Sequence, residues 1–361
     1  MNLDLTRRKF LQATAIGVGA TVAGGALAGT AVRAQSPGQK LRFVWSPKAT
    51  DNPVFAVGKI GADLRASELG DVEVLWIGPP NTDAQSQAQL LDAAITAGCD
   101  GMGISCNDAD VLQPVIDRAI DAGIPVITWD SDSPNSKRLG FYSIDGDAAA
   151  IAGANVFVEA MASAPTKTYA LLSGNAGAPN LEGRISAVRG VLDQTDLEFV
   201  TTEFCNDNIQ LGAELIESRL TANPDLGGWF LIGGWPLFGE IDAMPQFRDK
   251  TAAGTLKCVA WDTLKSQCQY FVDGHLQGLI GQKYFGWGYD GIGIMYDIVK
   301  NGITVPSFID SGFDLITTTE VAQQFLDAWD SGEFPTDPNK YGVGDASVYA
   351  PAAAPSASAA A

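Results

Sequence analysis

Short apolar segments alternate with longer segments along most of the chain after Gly38. The short segments are rich in β-branched and aromatic residues, which indicates strands, whereas the longer ones place apolar residues every three to four positions, as amphipathic helices do. Strands are predicted at residues 41–46, 72–78, 100–105 and 124–130, and again at 168–174, 197–204, 228–234 and 257–262. This alternation is typical of βα units on a parallel sheet.

The predicted strands form two consecutive series of four, which indicates two domains rather than one. The expected fold class is therefore α/β, with two similar doubly wound parallel-sheet domains. Later segments at 278–282, 289–302 and 312–318 are expected to complete one sheet and then the other. The chain would then cross between the domains near residues 142–146, 281–285 and 305–313, and several crossings make a multi-strand hinge.

These crossings define the predicted domain limits. The N-terminal lobe comprises residues 38–143 and 283–308, and the C-terminal lobe comprises residues 144–282 and 309–340. A tail at 346–361, rich in Ala, Ser and Pro and without periodicity, is expected to be disordered.

The beginning of the chain is typical of an export signal. Residues 6–11 read "TRRKFL", and an uncharged run follows as far as Val32, before "VRAQ". We predict a signal peptide at 1–34, cleaved after Ala34, of the twin-arginine type, and hence a periplasmic location. The alternative is a retained membrane anchor, which the low hydrophobicity of the run disfavours.

Charge and the scarcity of certain residues exclude several classes of function. The formal net charge of −19 opposes binding to nucleic acids and to anionic membranes. His275 is the only histidine and none of the five cysteines has zinc-finger spacing, so neither a metal nor a cofactor is expected. Cys258 and Cys268 either form a disulfide after export or are small buried residues.

Motifs of catalysis are mostly missing from the sequence. No phosphate-binding loop of the form G-x-x-x-x-G-K-[ST] occurs, and a single histidine disfavours a Ser-His or Cys-His pair. Residues 286–291 match G-x-G-x-x-G, but they come near the end of the second series rather than after the first strand of a domain. Close helix packing explains these glycines more simply, and we expect a protein that is not an enzyme.

Two Trp-Asp pairs end the fourth strand of each series, at Trp129-Asp130 and at Trp261-Asp262. Ligands of open α/β sheets bind outside the carboxyl ends of the strands, so two facing ends would form a cleft with one acid from each side. Helix capping or turn formation is the alternative for any strand-end acid, and it is the expectation for Asp132 and Asp207. A glycoside hydrolase also uses two carboxyl groups, as catalytic acid and base, so an exported hydrolase is an alternative function.

Aromatic residues lie near the same strand ends and helix starts, and they narrow the expected ligand. They are Trp45, Trp129, Trp235, Trp261, Trp287, Phe55 and Phe285. An aromatic face beside a carboxylate suits a ligand with C–H faces and many hydroxyl groups. This combination predicts a small neutral sugar or polyol.

Six segments in order resemble the ribose/galactose-type periplasmic sugar-binding proteins, the receptor subunits of ABC importers. They are "PKATDNPVF", "PVITWDSD", "NLEGRISAVRG", "TANPD", "VAWD" and "GLIGQ", and the resemblance covers about residues 40–320. It implies a type I periplasmic binding protein fold and a membrane permease as partner. We expect a monomer.

The resemblance also implies ligand-binding residues. In the N-terminal lobe, Asn52 and Phe55 match the loop that hydrogen-bonds and stacks on the sugar, and Asp130 matches the strand-four acid. The C-terminal counterparts are Asn180, Arg184, Asp262 and the hinge-side amide Gln282.

Three further positions depart from the ribose binders or distinguish a subgroup. Ser131 replaces an arginine, and Trp235 follows two glycines where many members have Asn-Asp, so both are candidate contacts that leave the choice of sugar open. Lys48 is similar to the lysine that reaches the ligand in the rhamnose and autoinducer-2 receptors, or else it is a solvated loop charge. Signal reception is therefore an alternative to sugar uptake.

Overall fold

The computed structural model describes residues 40–331. The predicted export signal and the predicted disordered tail lie outside the described residues. The strands are β1 Leu41–Ser46, β2 Val72–Trp76, β3 Gly101–Ile104, β4 Val126–Trp129, β5 Gly140–Ser143, β6 Thr168–Ser173, β7 Glu198–Phe204, β8 Gly228–Leu231, β9 Lys257–Trp261, β10 Gly278–Gly281, β11 Phe308–Asp310 and β12 Asp314–Ile316.

Ten α-helices connect these strands within the described part of the chain. They are α1 Pro53–Leu69, α2 Ala84–Ala97, α3 Ala109–Asp121, α4 Gly146–Met161, α5 Pro179–Leu192, α6 Ile209–Ala222, α7 Pro245–Ala252, α8 Lys265–Val272, α9 Tyr284–Tyr296 and α10 Thr319–Ser331. None of them is both long enough and apolar enough to cross a bilayer.

The strands form two six-stranded sheets, which confirms the prediction of two α/β domains. The N-terminal sheet has the order β11-β5-β4-β3-β1-β2, and its strands are all parallel. The C-terminal sheet has the order β12-β10-β9-β8-β6-β7. The short strands β5 and β11 were not predicted, because three or four residues are too few to display a period of two.

Strand β12 departs from the expected parallel arrangement, since it pairs with β10 in the antiparallel direction. Its direction follows from how the chain enters it. Strand β11 is parallel to β5 and therefore ends at the cleft, and only residues 311–313 separate it from β12. The chain thus enters the C-terminal lobe at the cleft, whereas the other strands of that lobe run toward the cleft, so β12 runs in the opposite direction. Three residues are too few for the crossover helix that a parallel strand would need.

Three segments of the chain pass between the lobes and form the hinge. They are residues 144–145 after β5, residues 282–283 after β10 and residues 311–313 after β11. The segments are joined to each other: the Lys283 ammonium contacts an Asp314 carboxylate oxygen at 2.6 Å, and the Ser311 N–H donates to the Ser143 carbonyl at 2.8 Å.

Helix packing accounts for the glycines at 286–291. A Cβ atom at Gly288 would lie 1.8 Å from the Gly58 carbonyl oxygen, and one at Gly61 would lie 2.2 Å from the Phe285 carbonyl oxygen. Only glycine permits helices α1 and α9 to approach so closely. The G-x-G-x-x-G match is therefore a helix contact of the N-terminal lobe.

All five cysteines are buried and free, so Cys258 and Cys268 are not bridged in this structure. Burial raises the pKa of the Cys268 thiol to about 12, with a further contribution from the nearby Asp314 carboxylate. Of the two alternatives for Cys258 and Cys268, the structure has the second, in which they are small buried side chains.

Candidate functional site

A cavity lies between the lobes, where the carboxyl ends of both sheets meet. We call it the inner cavity. Nine of the ten predicted site residues line it, namely Lys48, Asn52, Phe55, Asp130, Asn180, Arg184, Trp235, Asp262 and Gln282. The cavity brings together side chains from loops, helix starts and hinge segments that are more than 200 residues apart in sequence.

Asp130 projects from a tight turn at the end of β4. Its φ of 60° is in the left-handed region, which Asp tolerates better than most residues, and the Ser131 N–H donates to the Trp129 carbonyl at 2.6 Å. The Ser105 hydroxyl donates to Asp130 Oδ2 at 2.6 Å, and Lys48 Nζ lies 3.9 Å from the same oxygen. The turn thus holds a buried carboxylate beside an ammonium group.

Asp262 occupies the corresponding position after β9 and has a φ of 79°. Its Oδ2 accepts the Gly234 N–H at 2.9 Å, and its Oδ1 accepts the Tyr284 hydroxyl at 2.6 Å and the Gln282 amide at 3.4 Å. Burial and the adjacent Asp262 carboxylate raise the pKa of Tyr284 well above its usual range, so this phenol stays a donor. Both carboxylate oxygens are therefore bound to donors of the protein.

Arg184 is 6% exposed, and helix α5 directs its guanidinium into the inner cavity. The guanidinium donates to the Ile232 carbonyl at 3.2 Å and to Gln282 Oε1 at 2.8 Å, and it lies 4.2 Å from the centre of the Trp261 ring. Burial lowers the pKa of Arg184, while the Asp262 and Asp130 carboxylates oppose that shift. Carboxylates of both lobes thus favour the charged form of the Arg184 guanidinium.

Two hydrogen bonds join the lobes across the cleft. Lys48 Nζ donates to Asn180 Oδ1 at 3.3 Å, and the Thr82 hydroxyl donates to Asp207 Oδ2, also at 3.3 Å. The donors belong to the N-terminal lobe and the acceptors to the C-terminal lobe. The structure is therefore a closed form, in which the inner cavity is bounded on both sides.

Aromatic side chains form the apolar part of the inner cavity. Phe55 and Trp287 lie 5.7 Å apart on the side of the N-terminal lobe, and Trp235 faces them from the C-terminal lobe. The other strand-end tryptophans do not reach the inner cavity. Trp45, Trp129 and Trp261 are fully buried in the lobe cores, because strand residues just before a turn pack against the neighbouring helices.

Ser131 is the one predicted site residue that does not line the inner cavity. It is 2% exposed, and its carbonyl accepts the Cys106 N–H at 3.0 Å. Its role is to close the turn after Asp130. Asp132 also lies apart from the cavity lining. Its Oδ1 accepts the Ser133 N–H at 2.8 Å, which agrees with the expected turn-forming role, and it pairs with Arg138 at 2.5 Å as well.

Several polar residues line the inner cavity although sequence reasoning did not select them. They are Thr82, Asn107, Asn175 and Asp207. Each one follows a strand, namely β2, β3, β6 and β7, so a systematic search of all strand ends would have found them. The expectation that Asp207 only forms a turn is wrong, because this carboxylate lines the cavity and bonds to the other lobe. Burial raises its pKa, which the Lys48 ammonium partly offsets.

No group of three or more His, Cys, Asp or Glu side chains between residues 40 and 331 has the arrangement of a metal site. The inner cavity instead offers amides, hydroxyls, two cations and three carboxylates beside aromatic rings. Such a set binds hydroxyl groups and C–H faces.

A protein-family model described as "Periplasmic binding protein domain" matches residues 43–303 of the chain. The match spans both lobes and the first two hinge segments.

Two characterised relatives are similar over most of their length. A xylose/arabinose-binding protein of Sulfolobus acidocaldarius is 24% identical over 300 residues, which cover 79% of this chain and 73% of the relative. A D-ribose/D-allose-binding protein of Pseudomonas aeruginosa is 25% identical over 255 residues, which cover 68% of this chain and 78% of the relative.

Solved structures share the fold. An ABC transporter solute-binding protein of Burkholderia graminis, in complex with D-arabinose, is 26% identical and has a TM-score of 0.74, with 80% of this chain and 98% of that chain covered. A solute-binding protein of Agrobacterium vitis has a TM-score of 0.72 at 22% identity, with 80% of this chain and 99% of that chain covered.

Proposed function

Since this chain belongs to the periplasmic binding protein family, we propose that it captures a small neutral sugar or polyol between its lobes and delivers it to the membrane permease of an ABC-type importer. The observation that carries the proposal is the inner cavity, where aromatic rings and hydrogen-bonding side chains of both lobes face one space. The relatives named above bind pentoses and allose by their descriptions, and we infer that the ligand of this chain contains at least one such sugar ring.

The cavity residues take distinct roles in this proposal. Phe55, Trp287 and Trp235 supply apolar faces for the sugar ring, whereas Asp130 and Asn52 accept or donate hydrogen bonds to its hydroxyl groups. Arg184 and Lys48 donate from opposite sides of the cavity. Charge-assisted hydrogen bonds of this kind contribute about 1.5–3 kcal/mol each.

The charges of the inner cavity favour an uncharged ligand. Lys48 lies beside Asp130, and Arg184 is close to Asp262, so the cations already have anionic neighbours within the protein. An anionic or cationic guest would displace these partners and leave a buried charge uncompensated, which costs free energy. A neutral polyhydroxylated guest leaves them paired.

Closure couples binding to transport. The contacts Lys48–Asn180 and Thr82–Asp207 exist only when the lobes approach, and a ligand that contacts both lobes adds to them. Ligand therefore shifts the population toward the closed form. The permease distinguishes loaded from empty protein by this shape.

We further propose that residues 1–34 direct export by the twin-arginine route and that the mature monomer works in the periplasm. The domain limits given by the predicted crossings, 38–143 with 283–308 and 144–282 with 309–340, would be the two lobes of this mechanism, except that residues 309–310 are part of β11 in the N-terminal sheet. Five buried free thiols fit a protein that folds before it meets an oxidising compartment.

Binding without hydrolysis is the preferred function because Asp262 is fully engaged. Three protein donors bind its two oxygens, and one of them is the hinge-side Gln282. In this proposal Asp262 positions the hinge rather than acting as the second catalytic acid of a glycoside hydrolase.

Titration calorimetry of the purified protein with pentoses, hexoses, deoxyhexoses and polyols tests the proposal, and mass spectrometry of the recovered ligand checks that it is unchanged. We expect one member of the panel to bind with 1:1 stoichiometry, and Asp130→Asn to weaken its binding about 100-fold. Asp196→Asn, on the exposed surface, is the matched control. Release of hydrolysed product, or wild-type affinity in Asp130→Asn, would contradict the assignment.

A further inference from the structure

A second cavity adjoins the inner cavity on the side away from the hinge segment at 144–145. This outer cavity is open to solvent and shares seven lining residues with the inner one, among them Thr82, Asp207 and Trp235. The two spaces are therefore parts of one continuous cleft, divided by the Thr82–Asp207 hydrogen bond.

The walls that belong to the outer cavity alone are rich in amides and also contain apolar rings and chains. Asn81, Asn206 and Asn208 supply donors and acceptors, and Pro80 and Ile209 supply apolar surface. Amides both donate and accept, as hydroxyl groups do, so this lining has the same chemical character as that of the inner cavity.

Hydrogen bonds hold both walls of the outer cavity in place. On the N-terminal side, the Thr50 N–H donates to the Pro79 carbonyl at 2.9 Å and the Asp51 N–H donates to the Pro80 carbonyl at 3.1 Å. On the C-terminal side, Asn208 caps helix α6. A subsite with fixed walls binds a rigid ring at a small entropic cost.

Asp207 and Trp235 form the junction of the two cavities. Asp207 has a φ of 57°, and its Oδ2 accepts from Asn175 at 2.9 Å and from Thr82, whereas its buried Oδ1 has no partner among the described residues. A Cβ atom at Gly174 would lie 2.0 Å from that Oδ1 and 2.7 Å from the Trp235 ring. The backbone is thus shaped to seat an acceptor and an aromatic ring side by side at the junction.

A cavity at the opposite end of the inner cavity has a different lining. The cavity there shares only Asp130, Asn180 and Arg184 with the inner cavity. Its own polar groups include Asp145, whose carboxylate already accepts the Ala148 N–H as the cap of α4. The acids at this end contrast with the amide-rich walls of the outer cavity, which is the better direction of extension for a longer neutral ligand.

We propose that the outer cavity is a second sugar subsite, and that the preferred ligand is a neutral disaccharide or a short glycoside with its second ring beyond Thr82 and Asp207. This inference rests on the proposed function and specifies its substrate class. The first ring occupies the inner cavity, and Trp235 contacts the ligand at the junction of the two rings.

Titration calorimetry on the full-length protein tests the subsite with D-xylose, D-glucose and D-galactose against xylobiose, cellobiose and lactose. We expect one disaccharide to bind at least about tenfold more tightly than its monosaccharides, which corresponds to one good hydrogen-bonded contact. Asn81→Phe, which fills the outer cavity from an exposed loop, should abolish that gain and leave monosaccharide affinity within about twofold. Asn135→Phe, at an exposed asparagine remote from the cleft, is the control.

The outcomes separate the two proposals. If monosaccharides bind and no disaccharide binds more tightly, the subsite is refuted and the proposed function stands. If a disaccharide gain survives Asn81→Phe, the second ring lies elsewhere and the subsite is likewise refuted. If sugars of neither size bind, the proposed function fails and the subsite fails with it.

Discussion

The two strand-end acids occupy matching positions in the two lobes, but their surroundings differ. Asp130 receives the Ser105 hydroxyl and has Lys48 at 3.9 Å, whereas Asp262 receives three donors, two of them from residues 282 and 284 at the hinge. The N-terminal acid is thus available to a ligand, and the C-terminal acid holds the hinge to β9. Under the proposed function, equivalent positions in two similar folds take a binding role and an architectural role.

The largest expected effect is a difference in stability between the two alanine variants. Asp262→Ala leaves the Tyr284 hydroxyl and the Gly234 N–H buried without acceptors, so we expect a loss of about 3 kcal/mol in the free energy of unfolding. Asp130→Ala removes one hydroxyl bond and should cost about 1 kcal/mol beyond the backbone penalty. Both alanines occupy left-handed positions, so that penalty is common to the pair and cancels in the comparison.

Urea unfolding of both variants checks this difference. Equal losses of stability would show that the two acids are equivalent, and the distinction between binding and architecture would be wrong.

A third buried carboxylate, Asp290 on helix α9, extends the comparison because, unlike Asp130 and Asp262, it does not line the inner cavity. Burial raises its pKa to about 7, which the Tyr142 hydroxyl and the more distant Arg65 and Lys283 cations partly oppose. Since the folded pKa is higher than the unfolded one, this group stabilises the protein at low pH. That contribution is lost as the pH rises through about 7.

We therefore expect Asp290→Asn to be more stable than the wild type by about 2 kcal/mol at pH 8, with little difference at pH 4. Urea unfolding of both proteins between pH 4 and pH 8 measures this difference in the free energy of unfolding. Asp297→Asn, on the following turn, is the control. A constant offset across this range would show that Asp290 does not titrate there.

The smallest expected effects come from the hydroxyl groups that serve each acid. Ser105→Ala should lower ligand affinity about fivefold with little change in stability, because it loosens Asp130. Tyr284→Phe should lower the free energy of unfolding by about 1 kcal/mol, because Asp262 loses one donor, and it should affect affinity less. Calorimetric titration and thermal unfolding of the two variants measure both quantities, and the reverse pattern would exchange the roles of the two acids.

Much of the fold was accessible from sequence because its signal is local. Nine of the predicted strand segments overlap β1–β4 and β6–β10, and the segment at 312–318 contains β12. Strands β5 and β11 were missed because they are shorter than the repeat that would reveal them. The direction of β12 depends on where β11 ends in space, which no local pattern records.

The candidate site was predicted in part for the same reason. Asp130 and Asp262 could be found because strand ends can be located from sequence and their common edge follows from the topology. Asp207 was misread because an acid after a strand is most simply a turn former, and only the Thr82 hydroxyl from the other lobe distinguishes it. Similarly, sequence could not separate Trp235 and Trp287, which line the cavity, from Trp45 and Trp129, which fill the core.

The sequence by itself determined two series of βα units, an acidic surface and one acid at the end of each fourth strand, since these depend on neighbouring residues and composition. Tertiary structure alone decided that Lys48 meets Asn180, that Thr82 meets Asp207, and that a second cavity continues beyond Asp207. The physical reason is that a hydrogen-bond partner is chosen by packing, and packing brings together residues separated by more than 100 positions in the chain.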